Sequence, residues 1–486
     1  GGNNPRKTIL FYLTMTKHYE FIVVGGGSAG YAAARTLREE RDSVAIVDDS
    51  KALGGLCIRR GCMPSKTVIY SAEVLHHARH SEKFGLEIPR AQPDMEQILL
   101  RKRAMVEDFA EGRVESLQSD LYTLYRNRAR FLDERTLELD DGTKLTADKF
   151  FITTGSAVNW PQIPGLKPDQ ALTSDDILEL DVLPESIIVL GGGVVACELS
   201  QYLNRMGATV TQIQRSDHVL KEFTHQASQV VEQAFRDEGI NLYTGTQLKR
   251  IDRTEDGKFR ASFRKAGETV TVVAEQIFNA LGRKPNIRGL NLEAAGIEVR
   301  PSGHIACNSF MQTSNPRVYA AGDVAGPEEI VHIAVKQGEV AARHALGQKG
   351  VEMNYDYPLY VIFTDPQVAF CGLSEGALRE RGIEYYSASF PFDDHGKSIL
   401  MEAKYGFVKV QADAQTGQVL GAECVGKDGG ELIHALNVAI GLKATVFDLL
   451  DIDWYHPTLS EIWEYPLEEI AERIREPVED AVLDSE

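Results

Sequence analysis

Apolar residues along this chain fall into short β-branched runs separated by helical repeats, and two of those runs open the same three-part pattern. The first run, residues 21–24, leads into Gly25-Gly26-Gly27-Ser28-Ala29-Gly30 and then into an alanine-rich stretch at 31–39. Strand, glycine turn and helix are predicted in that order. A second strand at 43–47 ends in Asp48. The pattern returns at 186–190, followed by Gly191-Gly192-Gly193-Val194-Val195-Ala196 and a helix that starts Cys197-Glu198-Leu199. Its own second strand, 209–213, ends in Gln214-Arg215. Two copies of one unit imply an α/β protein with two Rossmann-like dinucleotide-binding domains.

Elsewhere the periodicity is plainer. Residues 95–125 show helical spacing among many charges and predict a long exposed helix pair without chemistry. Residues 130–144 alternate and carry Asp141-Gly142, a hairpin signal. Residues 318–323 read as a strand ending in Gly322-Asp323. A third unit, from 355 to about 475, contains strand-like 360–363, 407–411 and 419–425 and a helix at 430–443.

Composition narrows the classes. A chain of 486 residues is long for one core, and about three domains are expected. A net charge of -19 and a pI near 5.2 disfavour nucleic acid and anionic membranes as partners. No run approaches the ~18 apolar residues of a membrane span. Six cysteines form no secreted framework, and a lone redox pair in a reducing, cytoplasmic compartment points to catalysis. Residues 1–14 read as a leader or cloning extension, because Met15 stands just before the first strand, and 476–486 as a C-terminal tail.

The chemistry starts at the first glycine turn. Gly25 permits the turn, Gly27 lets a pyrophosphate approach, and Gly30 lets helix pack on strand, with Ser28 and Ala29 at a helix N-terminus that faces the phosphates. Asp48 is placed to accept from a ribose. Close behind it lies Gly54-Gly55-Leu56-Cys57-Ile58-Arg59-Arg60-Gly61-Cys62-Met63-Pro64-Ser65-Lys66. Two cysteines at this spacing can open and close a small disulfide ring. Gly54 and Gly55 admit a ligand close to the backbone, Pro64 stiffens the turn after Cys62, and Arg59, Arg60 and Lys66 favour thiolate. A structural pair or half a zinc site is the alternative, but no second pair at ligand spacing answers it, so no metal is expected. Cysteines beside a dinucleotide suggest a flavin.

Gly25, Gly27, Gly30, Asp48 and the run Gly54-Gly55-x-Cys57-x4-Cys62-x-Pro64-Ser65-Lys66 resemble the class I pyridine nucleotide-disulfide oxidoreductases, the family of dihydrolipoamide dehydrogenase, glutathione reductase and mercuric reductase. The resemblance implies an FAD-binding domain in two parts, 15–155 and 283–354, an NAD(P)-binding domain at 156–282, and an α+β dimerisation domain at 355–475. It places Gly55, Leu56, Cys57, Lys66, Thr154, Gly155, Gly322 and Asp323 at the flavin cofactor, and Gly191, Gly193 and Gly282 at the nicotinamide one. Glu198 would pair with Lys66, and Cys197 reads as a packing residue. Residues 150–155, with Pro161, Pro164 and Gly165 after them, resemble the strand and crossover out of the flavin domain, with Thr153 in place of the usual Ala; residues 277–286 resemble the return. His332-Ile333-Ala334 resembles a loop of dihydrolipoamide dehydrogenases. In Tyr455-His456-Pro457-Thr458-Leu459-Ser460-Glu461, His456 would be the acid-base partner of Cys57, oriented by Glu461. The implied assembly is a homodimer in which His456 serves the other subunit's cysteines. Two departures stand out: Asp48 where the family usually has Glu, and Arg59-Arg60 where it more often has Asn-Val.

Gln214 does not repel a 2′-phosphate and Arg215 attracts one, with Lys221 near in sequence, so NADPH is expected over NADH. Electrons would pass between NAD(P)H and a small-molecule disulfide through FAD, with Cys62 as the thiolate at the flavin and Cys57 exchanging with substrate. Ser65, His332 and His456 favour a dihydrolipoamide dehydrogenase-like activity; Arg35, Arg215 and Lys221 favour an NADPH-dependent glutathione-type reductase. A mercuric reductase fits less well, since the C-terminal cysteine pair is absent and His456 replaces its Tyr. Intact Cys57, Cys62, Lys66, His456 and Glu461 speak against a flavin redox sensor without turnover, and a flavin transhydrogenase or oxidase would keep both nucleotide folds without needing both cysteines.

Overall fold

Lys17–Val24 forms β1, and its last four residues, Phe21, Ile22, Val23 and Val24, are buried together, as a central parallel strand requires. The computed structural model describes residues 16–475, so the expected leader at 1–14 and tail at 476–486 lie outside the described residues. The described residues divide into two compact units: 16–64, 102–159 and 283–353, and 65–101, 160–282 and 354–475.

In the first unit β1 pairs in parallel with Val44–Val47 (β2) and with Lys144–Ile152 (β6), and Thr123–Tyr125 (β3) extends the sheet beside β2. Ala129–Asp133 (β4) and Thr136–Leu139 (β5) run antiparallel beside β6, and Val318–Ala320 (β16) pairs with the end of β6, giving the order β3-β2-β1-β6-β5-β4. Ser156–Val158 (β7) and Arg283–Pro285 (β15) make a two-stranded ribbon. Helix α1, Ser28–Arg38, packs on α8, Val331–Ala345, so closely that a Cβ on Gly338 would lie 2.2 Å from the Ala29 carbonyl oxygen. Gly55–Arg60 (α2) follows β2. The chain passes between the units within Cys62–Arg79 (α3) and again within Met95–Gln118 (α4).

The second unit holds three sheets. Ser186–Leu190 (β8), Thr209–Ile213 (β9), Asn241–Tyr243 (β10) and Gln276–Asn279 (β14) form a parallel sheet in the order β10-β9-β8-β14, served by Ser174–Ile177 (α5), Val194–Met206 (α6) and His225–Asp237 (α7). Gln247–Arg253 (β11), Phe259–Lys265 (β12) and Glu268–Ala274 (β13) form an antiparallel sheet. Leu359–Ile362 (β17), Gln367–Gly372 (β18), Tyr385–Pro391 (β19), Phe407–Asp413 (β20) and Val419–Gly426 (β21) form another, in the order β17-β18-β21-β20-β19. Glu375–Glu380 (α9), Gly396–Leu400 (α10), Gly429–Gly441 (α11), Val446–Leu450 (α12) and Glu464–Arg475 (α13) accompany it. Trp463 is fully buried there and donates its indole N–H to the Leu432 carbonyl at 3.2 Å. Among the described residues no helix is long and apolar enough to cross a membrane.

Several expectations change. Residues 95–125 are not a helix pair: α4 is one helix of 24 residues, after which the chain enters β3. Its only glycine, Gly112, has open space where a Cβ would be, and nothing in the stretch forces a turn. His332-Ile333-Ala334 lies in the first turns of α8, not in a loop. Pro64 sits inside the first turn of α3, where its missing N–H has no helical partner to lose, instead of stiffening a separate turn. The Asp141-Gly142 turn does join β5 to β6, with Gly142 donating to the Leu139 carbonyl at 2.9 Å.

Candidate active site

The first glycine turn is built by contacts that only glycine allows. Gly25 has φ +105, and a Cβ there would lie 2.5 Å from the Thr153 carbonyl oxygen. A Cβ on Gly30 would lie 1.9 Å from the Gly25 oxygen, so α1 is held against the end of β1. Thr153 ties the same corner by donating its hydroxyl to Gly25 O at 2.7 Å, a bond the usual Ala could not make. The N-terminus of α1 has no side-chain cap and no acid in its first turn, and a Cβ on Gly27 would meet nothing nearer than 3.9 Å. Free amides facing open space fit a pyrophosphate. Asp48 is buried and accepts from Gly26 N at 2.7 Å and Ser50 N at 2.9 Å; a carboxylate has capacity left for a ribose. Asp323 accepts from Ser156 Oγ at 2.6 Å, Gly322 donates to Gln337 Oε1 at 2.7 Å, and Thr154 and Gly155 are tied to Asn286.

Gly55 lies against the glycine turn. A Cβ on it would lie 2.6 Å from Gly27 Cα, so its close approach is to the glycine turn and brings Leu56 and Cys57 to that turn. Cys57 lies in α2 and Cys62 opens α3; between them Gly61, which sequence reasoning did not single out, would carry a Cβ 3.1 Å from Cys57 Cα. That contact folds Cys62 back toward Cys57. The two sulfurs are partly buried and in hydrogen-bond contact.

The surroundings of Cys57 favour its thiol form. Its hydrogen bond to Cys62, followed by burial, holds its thiol well above the ordinary range, and the opposing cation is Arg113. Arg59 is turned away, bonding the Leu53 carbonyl and Glu107 at 2.6 Å each. Arg113 comes from α4, the element assigned no chemistry; its guanidinium lies 4.7 Å from the Tyr31 ring centroid and 3.5 Å from Ser28 Oγ.

Lys66 and Glu198 do meet. Lys66 Nζ is 2.8 Å from Glu198 Oε2, and Glu198 Oε1 accepts from Phe363 N at 2.9 Å. Lys66 also stands 4.6 Å over the Phe363 ring. Phe363 was not anticipated, being an ordinary strand-end aromatic in the sequence.

The second glycine turn repeats the first. Gly191 has φ +124, and its Cβ would lie 2.4 Å from Ala280 O; Gly193 faces open space beneath an uncapped α6 N-terminus, which again fits a pyrophosphate. Gln214 takes the place of Asp48, packed so that a Cβ on Gly192 would lie 2.8 Å from its Cδ. Arg215 is exposed, and Lys221 lies 3.6 Å from Glu222, which offsets part of its charge. Gly282 has φ +91 with open space around it, and Cys197 is fully buried, as a packing residue should be.

In the second unit His456 Nδ1 lies 3.0 and 3.1 Å from the two Glu461 oxygens. Glu461 is buried, whereas the His456 side chain is 79% exposed, so a fixed imidazole presents Nε2 outward. Behind Glu461 stands a second imidazole, His395, which no motif signalled.

Comparison with known proteins agrees with this geometry. The pyridine nucleotide-disulphide oxidoreductase family matches residues 19–338, and the family's dimerisation domain matches 359–466. Mercuric reductase from Bacillus cereus is 33% identical over 91% of this chain and 70% of its own length. Dihydrolipoyl dehydrogenase from Bacillus subtilis (strain 168) is 32% identical over 90% of this chain and 96% of its own. The fold is shared with the HOCl-induced flavoprotein disulfide reductase RclA from Escherichia coli, at a TM-score of 0.81 and 23% identity over 93% of this chain and 99% of that one. Matched to the family over residues 19–338 and to its dimerisation domain over 359–466, the chain belongs to the pyridine nucleotide-disulphide oxidoreductases, FAD-dependent enzymes that use NAD(P)H.

Proposed function

We propose that this enzyme interconverts a small dithiol and its disulfide, most like dihydrolipoamide and lipoamide, with Cys57 and Cys62 as the exchanging pair and His456 as the acid-base group. The observation that carries this reading is the fixed, outward-facing imidazole: His456 held by buried Glu461. Disulfide exchange needs a proton moved at the sulfur that attacks or leaves, and the Cys62 contact, followed by burial, favours the protonated form of Cys57. Metal-ion reduction has no leaving substrate sulfur for an imidazole to protonate. The similarity to mercuric reductases, equal within a percentage point to that to a dihydrolipoyl dehydrogenase, therefore does not decide between them.

The glycine turn 25–30 with Asp48, Thr154 and Asp323 would hold FAD, and Gly191, Gly193 and Arg215 the nicotinamide dinucleotide. Bound there, the flavin supplies two-electron transfer between nicotinamide and the protein disulfide. In dithiol oxidation His456 Nε2 takes a proton from the substrate thiol, whose sulfur attacks Cys57 of the Cys57-Cys62 disulfide and expels Cys62 as thiolate. The second substrate sulfur then closes the substrate disulfide and releases Cys57, which takes up a proton. Two electrons leave as NAD(P)H, so dithiol plus NAD(P)+ gives disulfide, NAD(P)H and a proton. The site is completed by a second copy of the chain, which brings His456 to Cys57, and the enzyme works in a reducing cytoplasm. Arg215, exposed beside uncharged Gln214, supports NADPH over NADH.

The test is a screen of the flavin-loaded enzyme against lipoamide, oxidised glutathione and Hg(II) with each nicotinamide. We expect the highest kcat/KM for the lipoamide couple, its loss in Cys57→Ser, and a drop of about 10²–10⁴-fold in His456→Gln. Turnover of Hg(II) alone, or disulfide turnover surviving Cys57→Ser, would overturn the reading.

A further inference from the structure

Glu461 stands between two imidazoles. His456 lies on its exposed side; on its buried side His395, with no solvent exposure, has Nε2 3.4 Å from Glu461 Oε1. His395 precedes α10, and its Nδ1 is 2.8 Å from Ser398 Oγ. These neighbours choose the tautomer. A hydroxyl can donate or accept, but a carboxylate only accepts, so the ring proton belongs on Nε2, with Ser398 donating to Nδ1. The reverse arrangement would aim a buried lone pair at a carboxylate and leave both unsatisfied. Nε2 makes no hydrogen bond of normal geometry, and Glu461 Oε1, 3.4 Å away, is the acceptor this buried N–H faces. Burial also holds His395 below the ordinary imidazole range, which keeps it neutral: a donor that brings no charge of its own.

We infer that His395 is a positioning residue for the acid-base pair, a neutral buried donor that fixes Glu461, disperses part of its charge, and thereby sets the proton affinity of His456. The inference rests on His456 being the acid-base group. The other titratable groups that act on this cluster are Glu464 and Tyr465 of α13, with Asp394 and Glu468 acting on Tyr465. Its carboxylates add negative charge, so dispersal of the Glu461 charge falls to N–H donors. Without the His395 donor, Glu461 presents a less dispersed charge to His456, which favours the imidazolium.

The experiment follows His456 directly, by NMR titration of the flavin-loaded protein with histidines labelled at Cε1, the signal being assigned with His456→Gln. His395→Gln places an amide N–H where Nε2 was and reaches Glu461; His395→Asn reaches only Ser398. We expect His456 to titrate about one pH unit higher in His395→Asn than in the unaltered protein and to return to its original value in His395→Gln, with the acid limb of dithiol turnover moving alike. Should the Asn protein not assemble, His395→Leu carries the same expectation. The proposal is overturned if His456 titrates identically in all the proteins, or if Gln and Asn shift it equally. Because the titration needs no substrate, an enzyme that turned over no disulfide would sink the proposed function and leave this result standing.

Discussion

At Glu198 both carboxylate oxygens are committed, one to the Lys66 ammonium and one to the Phe363 amide, in a side chain almost wholly buried. Every partner is a donor. Glu198→Gln keeps the shape but must turn its own NH2 against one of them, which leaves Lys66 without a counter-charge. Since Lys66 is close to a third exposed, water screens part of the loss, and about 1–2 kcal/mol of destabilisation is expected. Thermal unfolding of the flavin-loaded protein should fall by roughly 2–4 °C; an unchanged midpoint would show that the pair contributes nothing. This pair was legible only through the family resemblance, which set Glu198, in the second turn of α6, against Lys66. His395 was not, since its relation to Glu461 is made by tertiary folding alone. The same holds for Arg113, one cation among many on a charged helix until the fold sets it by Tyr31.

Among the elements, α1 shows what the glycine turn requires of its surroundings. Its N-terminus offers amides to a pyrophosphate, and α8 holds it in place through small residues: Ala29, Ala33 and Gly338 meet at backbone distance. A methyl at Gly338 would sit 2.2 Å from Ala29 O and 3.2 Å from Ala33 N, with backbone on the other side, so the helices must part. Gly338→Ala is therefore expected to weaken FAD binding at least tenfold, read from flavin retained on purification and from fluorescence titration of the stripped protein. Gly112→Ala is the matched control. It lies in α4 with open space at its Cβ and should stabilise by about 0.5–1 kcal/mol with full flavin content. Equal flavin occupancy in the two variants would refute the close-packing argument. Strands β8 and β9 were readable to the residue because glycine turns and acid or amide ends punctuate them. Helix α4 was misread because an exposed helix gives its pattern little to be periodic against, and β11 to β13 went unseen because charged, half-exposed strands dilute the alternation.

For the whole molecule, the decisive question is where the His456 ring acts. Its exposure would be idle in a finished site, yet the buried anchor at Glu461 and the matched dimerisation domain at 359–466 both indicate that the ring is prepared for something beyond its own surface. If that something is Cys57 of a second copy, two dead proteins can repair one another. Cys57→Ser lacks the exchanging sulfur but keeps its imidazole; His456→Gln keeps the sulfur and lacks the imidazole. In a heterodimer of the two, one site combines the intact Cys57 of one chain with the intact His456 of the other, and the second site combines both defects. Co-expression at equal levels gives about half heterodimers by random assortment, so the mixture should recover roughly a quarter of the unaltered turnover. Separately tagged chains purified through both tags should reach about half. Were each site made within one chain, every site in the heterodimer would carry one defect, and the mixture would show no more than the average of its two parents. Dilution adds a second arm: dissociated chains should lose turnover while retaining flavin absorbance, because the glycine turns that fit FAD lie within single units and the proposed acid-base group arrives from outside.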